Sequence, residues 1–255
     1  MKIAEGQYVL VFYQRDKTWL VKGVSEHKLH THIGIVDFSK IIGLEYGSKY
    51  ITNKEKTVYL LKPTVYDFIL KSDRKTQIIY PKDLGYIAIR TGLKNGSKVI
   101  EIGTGSAALT TFFASIVKPD GHIFTYDVNP EFMKIARRNL EKADLQQYVT
   151  MSQHDLHEGL EERDADIAVI DLGDPWNVLE IVHNSIKPSA SLVAICPTIN
   201  QIEKTAIQMR KVGFVDIEAT EILLRNIEAR EGMTRPSMRM IGHTTYLIFG
   251  RKIGL

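Results

Sequence analysis

Across Glu101-Ile102-Gly103-Thr104-Gly105-Ser106 the chain passes from a β-branched apolar stub, Lys98-Val99-Ile100, into an apolar helical run, Phe112 to Val117. A strand feeding a glycine turn feeding a helix brings a ligand onto the backbone, because glycine puts no side chain in the way. The pattern then repeats. Strands are expected at 98–102, 122–127, 147–152, 166–172 and 190–196, and helices at 82–93, 106–117, 129–142, 175–186 and 199–211. Such alternation calls for a parallel sheet covered on both faces. Two further strands, near 214–225 and 243–251, have no helix between them. The polar segment Asn226 to Met240 joins them, so the sheet should close on an antiparallel hairpin.

The first seventy residues follow a different rule. Tyr8 to Tyr13, Thr18 to Val21, Lys28 to Phe38, Lys49 to Thr52 and Thr57 to Leu61 read as short strands punctuated by Gly, Asn, Asp and Lys, as in a small all-β sheet or barrel. A helical pattern from Val65 to Leu70 and the basic stretch Lys71 to Lys75 end this unit, which places a boundary between a β domain at 1–72 and an α/β domain at 73–255. Charge is distributed unevenly. Residues 1–75 hold 13 Lys/Arg against 8 Asp/Glu, a net of +5; residues 76–224 hold 14 against 20, a net of −6; residues 225–255 hold 6 against 2, a net of +4. Two basic ends around an acidic middle suit a nucleic-acid partner, although solvated lysines on a small domain give the same sums. No apolar run approaches the ~20 residues of a membrane span. The opening Met1 to Gly6 lacks a signal-peptide core, so a cytoplasmic protein is expected. The lone Cys196 lies in the apolar stretch Leu192 to Cys196 and reads as a buried thiol rather than a nucleophile.

Ligands of open α/β sheets bind at the carboxyl ends of the strands. Four acidic residues are expected at or just past such ends: Glu101, Asp127, Asp155 and Asp171. Glu101 before the glycines would repel a phosphate and suits a cationic ligand, such as S-adenosylmethionine with its amino and sulfonium groups. Asp127 falls 22 residues beyond Gly105, where a carboxylate accepts hydrogen bonds from ribose hydroxyls. Asp155 is suited to an adenine amino group. Asp171 opens Asp171-Leu172-Gly173-Asp174-Pro175-Trp176, in which a carboxylate beside a flat aromatic surface can hold a flipped base and accept a proton from its exocyclic amine. The plainer alternative for the end of this stretch is Asp174 capping a helix opened by Pro175, with Trp176 packed beneath it.

The stretch Arg74-Lys75-Thr76-Gln77-Ile78-Ile79-Tyr80-Pro81-Lys82-Asp83, the Glu101 motif, Asp171 to Trp176 and Met240-Ile241-Gly242-His243-Thr244-Thr245-Tyr246-Leu247 occur in this order, after Leu29-His30-Thr31-His32-Ile33-Gly34. Together they resemble the tRNA (adenine-N1)-methyltransferases of the T-loop in their archaeal and bacterial single-subunit form, over nearly the whole chain. The resemblance implies a class I S-adenosylmethionine-dependent methyltransferase fold, a Rossmann-like doubly wound sheet with an antiparallel C-terminal hairpin, preceded by a small all-β domain that contacts RNA. It implies a cofactor site at Gln77, Glu101, Gly103, Gly105, Ser106, Ala107, Ala108, Leu109, Asp127, Asp155 and Asp171. Asp171 would be catalytic, with Tyr80 near the target base. It also implies methylation of adenosine 58, with 57 a further site in archaeal members, and a homotetramer built from two tight dimers. Two positions depart from the family pattern: Ala107 stands where glycine is usual, and Gly173 where proline is usual.

Trp176, Arg230, Arg235, Arg239 and His243 are candidate substrate contacts. Guanidinium groups grip phosphates and a long hairpin loop reaches across RNA, while the same arginines with Met233, Met238 and Met240 equally suit a subunit interface. His27, His30 and His32 lack a cysteine or a well-placed further ligand, so no metal is expected. A protein isoaspartyl methyltransferase and a non-catalytic tRNA-binding subunit are the competing readings. The basic β unit disfavours the first, and retention of all four carboxylates disfavours the second.

Overall fold

The computed structural model describes residues 1–75, 77–154 and 159–254, and divides into two compact units, Met1–Ser72 and Asp73–Leu255. In the first unit β1 (Tyr8–Gln14), β2 (Lys17–Lys22), β5 (Lys49–Ile51) and β6 (Thr57–Leu61) form an antiparallel sheet in the order β2-β1-β6-β5. The expected strand over 28–38 is instead a hairpin, β3 (Lys28–Thr31) with β4 (Gly34–Asp37). The break comes at Gly34, whose φ of +118° is open to glycine, and a Cβ there would run into the side chains of Thr52 and Asn53. Val9, Val11, Val36, Phe38, Ile41, Val58 and Leu60 fill the core of the unit. Helix α1 (Val65–Leu70) follows, opened by a reciprocal cap between Thr64 and Asp67.

In the second unit α2 (Pro81–Thr91), β7 (Lys98–Ile102), α3 (Ala108–Val117), β8 (His122–Tyr126), α4 (Pro130–Lys142), β9 (Val149–Ser152), β10 (Ala165–Ile170), α5 (Leu179–Ser185), β11 (Ile186–Cys196), α6 (Ile199–Val212) and β12 (Phe214–Glu221) succeed one another. A short ribbon of β13 (Ile227–Glu228) and β14 (Arg235–Pro236) precedes β15 (Tyr246–Lys252). The sheet runs β12-β15-β11-β10-β7-β8-β9, with β15 antiparallel to both neighbours. This is a Rossmann-like doubly wound sheet. Its strands are nearly continuous apolar runs because helices cover both faces; Val99, Ile100, Ile167, Ala168, Val169, Leu192 and Val193 are fully buried or within a per cent of it. The expected helix at 175–186 is shorter. A 3-10 turn at Pro175–Asn177 precedes α5, and Ser185 passes directly into β11. Among the described residues no helix is long and apolar enough to cross a membrane.

The order of connection locates the site. From β7 the chain winds outward through β8 to β9, then returns to the other side of β7 to lay down β10 and β11. The connections leaving β7 and β10 therefore diverge, and a crevice opens at the carboxyl ends of those two strands.

Candidate active site

Three strand ends are stitched together around that crevice. The amides of Gly103 and Thr104 donate to the Tyr126 carbonyl, and the Asp171 amide donates to the Ile102 carbonyl at 2.7 Å. Gly103, at φ +93°, lies so close to Asp171 that a Cβ would collide with the Asp171 carbonyl oxygen. Its requirement for glycine is thus set by a neighbouring strand end of the protein itself. Asp127 holds the turn from the other side: Oδ2 accepts from the Gly105 amide at 2.9 Å and Oδ1 from the Asn129 amide at 2.8 Å. Asn139, a buried polar residue of α4, donates to the Ser106 and Asp73 carbonyls and accepts from the Asp73 amide. Nothing in the sequence pattern marks it, because an asparagine in a helix reads as a surface residue.

These elements enclose a cleft of about 530 Å3, a size suited to a nucleoside-bearing small molecule. Of the residues that the resemblance implies for a cofactor site, Gln77, Glu101, Gly103, Gly105, Ser106, Ala108, Leu109, Asp127 and Asp171 line it. Ala107 does not. It is fully buried at the N-terminus of α3 in the left-handed region, φ +63°, where glycine would be unstrained. Asp155 lies outside the described residues. The cleft also takes in Ile79, Val128, Phe132, His154, Asn177 and Val178, which sequence reasoning missed. Val128, directly after Asp127, is 65% exposed, an apolar side chain held in water at a strand end by the fold rather than marked by the sequence.

Glu101 belongs to β7 rather than to the turn after it, and is 2% exposed. Thr110 donates to its Oε2 at 2.6 Å. Burial pushes the Glu101 carboxyl up to about 8, against the hydrogen bonds of Thr110 and Thr125 and with the negative charges of Asp171 and Asp127 adding to the rise. It has no cationic partner among the described residues. A buried carboxyl facing a cleft without a counter-charge fits a ligand that brings a positive one. Asp171 keeps an exposed face toward the cleft but is ringed by protein, and this crowding, with the charge of Asp127, pushes its carboxyl up to about 6.

The turn after Asp171 is steadied from α6. Gln201 closes the capping box of that helix with Thr198 and spends its amide on the Gly173 carbonyl at 2.8 Å. The bond holds the turn where glycine replaces the proline usual in the family pattern. The Asn177 side-chain amide donates to Asp174 Oδ2 at 2.6 Å, and the Asp174 side chain makes no cap to the backbone. Trp176 does not line the cleft; it packs on the main core with Lys204 Nζ 4.9 Å from its ring.

Other candidates also lie apart from the cleft. Tyr80 is the residue before α2, and its carbonyl accepts from the Asp83 and Leu84 amides. His243 is clamped by Glu221 Oε1 at 2.7 Å on Nδ1 and the Pro197 carbonyl at 3.0 Å on Nε2. The Glu221 carboxylate beside Nδ1, with the Pro197 carbonyl at Nε2, raises the pKa of the ring. Beside it the distant motifs meet: Lys82 donates to Asp83 and to Thr244, and Thr244 to Asp83, with Asp83 fully buried. Arg230, Arg235 and Arg239 are exposed on the ribbon segment, where Arg235 faces Glu228 at 3.5 Å. His27 stacks on Phe38 and His32 tilts against Trp19. Among the described residues no three His, Cys, Asp or Glu side chains are placed to hold a metal ion.

Comparison with known proteins gives consistent relatives. The structure matches a SAM-dependent O-methyltransferase from Thermotoga maritima with a TM-score of 0.94 and 34% identity, covering 100% of this chain and 96% of that one. It matches the tRNA (m1A58) methyltransferase TrmI from Aquifex aeolicus with a TM-score of 0.87 and 33% identity, covering 100% of both. A relative from Methanocaldococcus jannaschii, named tRNA (adenine(57)-N(1)/adenine(58)-N(1))-methyltransferase TrmI, is 36% identical over 96% of this chain and 94% of its own length. The family model described as the tRNA methyltransferase complex GCD14 subunit matches residues 56–234, and the chain belongs to that family.

Proposed function

We propose that this protein is an S-adenosylmethionine-dependent tRNA methyltransferase that forms N1-methyladenosine in the T-loop, at position 58, with 57 the second position to map. The observation that carries the reading is Asp171, locked by backbone to β7 at the switch point and facing the same cleft as Glu101 and Asp127. The cofactor supplies an activated methyl on a sulfonium. Glu101 takes its positive end, Asp127 its ribose, and Val128 and Phe132 offer apolar surface to its base. Asp171 accepts a hydrogen bond, or the proton, from the adenine exocyclic amine, which makes ring nitrogen 1 more electron-rich. Its pKa of about 6 leaves the carboxylate ionised at neutral pH while keeping it basic enough to accept. The closed strand ends hold these groups in one geometry, so positioning is the main contribution of the protein.

The basic β unit and the ribbon arginines supply the RNA surface in this reading. Leu223, Leu224, Ile227, Met233, Met238 and Ile241 are all more than half exposed. An apolar stretch of this kind supports a homotetramer in which the ribbon is covered by a second copy. Use of tRNA and S-adenosylmethionine supports a cytoplasmic setting. The test is single-turnover methylation of a tRNA transcript, followed by mapping of the modified base. Methyl transfer should fall on adenosine 58 and vanish when guanosine replaces it. Asp171→Asn should bind the cofactor and lose ~100- to 10,000-fold in rate. Near-normal rates in that variant refute the assignment of Asp171.

A further inference from the structure

Side chains of the N-terminal sheet alternate between its two faces, and Val9, Val11, Val58 and Leu60 take the core side. On the other side the strand register sets Thr18, Phe12, Tyr59 and Lys49 in one row across four strands. The Phe12 and Tyr59 rings lie 6.5 Å apart at 55°. Tyr59 is 38% exposed, and Ile51, which pairs with Thr57 in the next row, is 67% exposed. Toward the opposite end of this face Tyr8 meets Phe68 of α1 edge-on and Leu10 is buried, so α1 covers that end and leaves the aromatic row open. The open end is also where two turns come together. Residues 15–16 join β1 to β2 and residues 52–56 lead into β6, and the register brings both to the same side. Lys49 lies in the row itself beside Tyr59, and the two turns carry Arg15, Lys54 and Lys56 at that end of the sheet against Asp16 and Glu55, with the Lys54 ammonium on the His32 carbonyl at 3.3 Å.

We propose that this row is a stacking platform for unpaired bases of the tRNA substrate, with Phe12 and Tyr59 against base faces and Lys49 and the turn lysines on the flanking phosphates. The inference rests on the reading of the chain as a tRNA methyltransferase. Aromatic rings beside cations match single-stranded nucleic acid, whose bases present π-faces and whose backbone is anionic. A duplex hides its base faces, so the ligand is a loop or an opened segment. A protein partner fits less well, because the cores of protein interfaces are depleted in lysine. Tyr59 is exposed and Phe12 half-buried, and neither ring belongs to the core cluster on the other face of the sheet.

The experiment uses the full chain with two probes, a tRNA transcript and an unstructured 12-nucleotide RNA. Tyr59→Ala should weaken binding of both by ~10-fold or more, the scale of one lost base stack. Tyr59→Phe keeps the ring and should bind as the parent does. Lys49→Ala should make the salt dependence shallower by about one counterion. Ultraviolet crosslinking to bromouridine-substituted RNA should mark a peptide containing Phe12 or Tyr59. Urea denaturation and far-ultraviolet circular dichroism report that each variant is folded. If the parent chain binds and methylates tRNA while Tyr59→Ala binds RNA unchanged, the platform is overturned and the methyltransferase reading stands. A change of oligomeric mass in Tyr59→Ala without change in RNA affinity overturns it in favour of a protein contact. If the parent neither binds nor methylates tRNA, both fall together.

Discussion

Replacing Glu101 by glutamine should stabilise the ligand-free protein, and by an amount that depends on pH. The side chain is 2% exposed, and burial raises its carboxyl from 4.5 to about 8. The folded chain therefore holds this proton more tightly than the unfolded chain does. The stability that Glu101 contributes is complete below pH 4.5 and is lost as pH rises through 8. At 1.36 kcal/mol per pH unit, the loss is under ~1 kcal/mol at pH 5 and about 3 kcal/mol at pH 7. Glutamine does not titrate, and its carbonyl oxygen can accept the same bond from Thr110. Urea denaturation without cofactor, run at pH 5, 6, 7 and 8 on both proteins, isolates the effect, since every other titrating group cancels in the difference. Glu101→Gln should match the parent near pH 5 and gain about 3 kcal/mol by pH 7, a rise of roughly 6–12 °C in Tm. The same variant should lose cofactor affinity, because the neutral amide no longer answers a cation; stability and function are opposed at this position. A stability difference that stays flat from pH 5 to 8 refutes the reasoning.

Cofactor binding should itself release a proton. At pH 7 Glu101 is mostly protonated in the free protein, a bound cation drives that proton off, and affinity should rise with pH until about 8; calorimetry in two buffers of different ionisation heat should give about one proton released in the parent and none in Glu101→Gln. Asp127→Ala removes the acceptor of the Gly105 and Asn129 amides as well as a ligand contact, so S-adenosylmethionine binding should weaken by roughly 2–4 kcal/mol, and unchanged affinity by calorimetry would place the ribose elsewhere. Gly103→Ala should cost several kcal/mol, on the order of 2–4, and abolish methyl transfer by pushing Asp171 aside, whereas Gly173→Ala, at a site with open space and an ordinary φ, should leave denaturation midpoints nearly unchanged.

Much of this molecule was legible before any coordinates, for reasons of local chemistry. The strand–helix alternation after Lys98 follows from apolar runs broken by glycine, proline and polar clusters, and those signals are carried by neighbours in sequence. Asp127 and Asp171 were legible as carboxylates at strand ends, and the fold sets both on the lining of one cleft. Where two local signals compete, as in Lys28 to Phe38, a run of strand-forming residues concealed the turn at Gly34, whose need for glycine comes from Thr52 and Asn53 far along the chain.

Tertiary structure decided the rest, because the deciding contacts join residues that share no local pattern. Glu101 was legible as an acidic residue near a turn, but its unusual proton affinity comes from burial among three strands and α3. Gly103 was legible as a glycine, but the Asp171 backbone is what makes it obligatory. Ala107 belongs to the same motif and is turned into the core by a left-handed residue at the helix start. Gln201 and Asn139 lie outside the family motifs, yet they hold the Gly173 and Ser106 carbonyls of the cleft loops, and Lys82, Asp83 and Thr244, from two motifs far apart in the chain, meet only in the fold. A sequence records which residues favour strand, turn or helix; desolvation and the pairing of buried polar groups depend on atoms brought together only when the sheet closes.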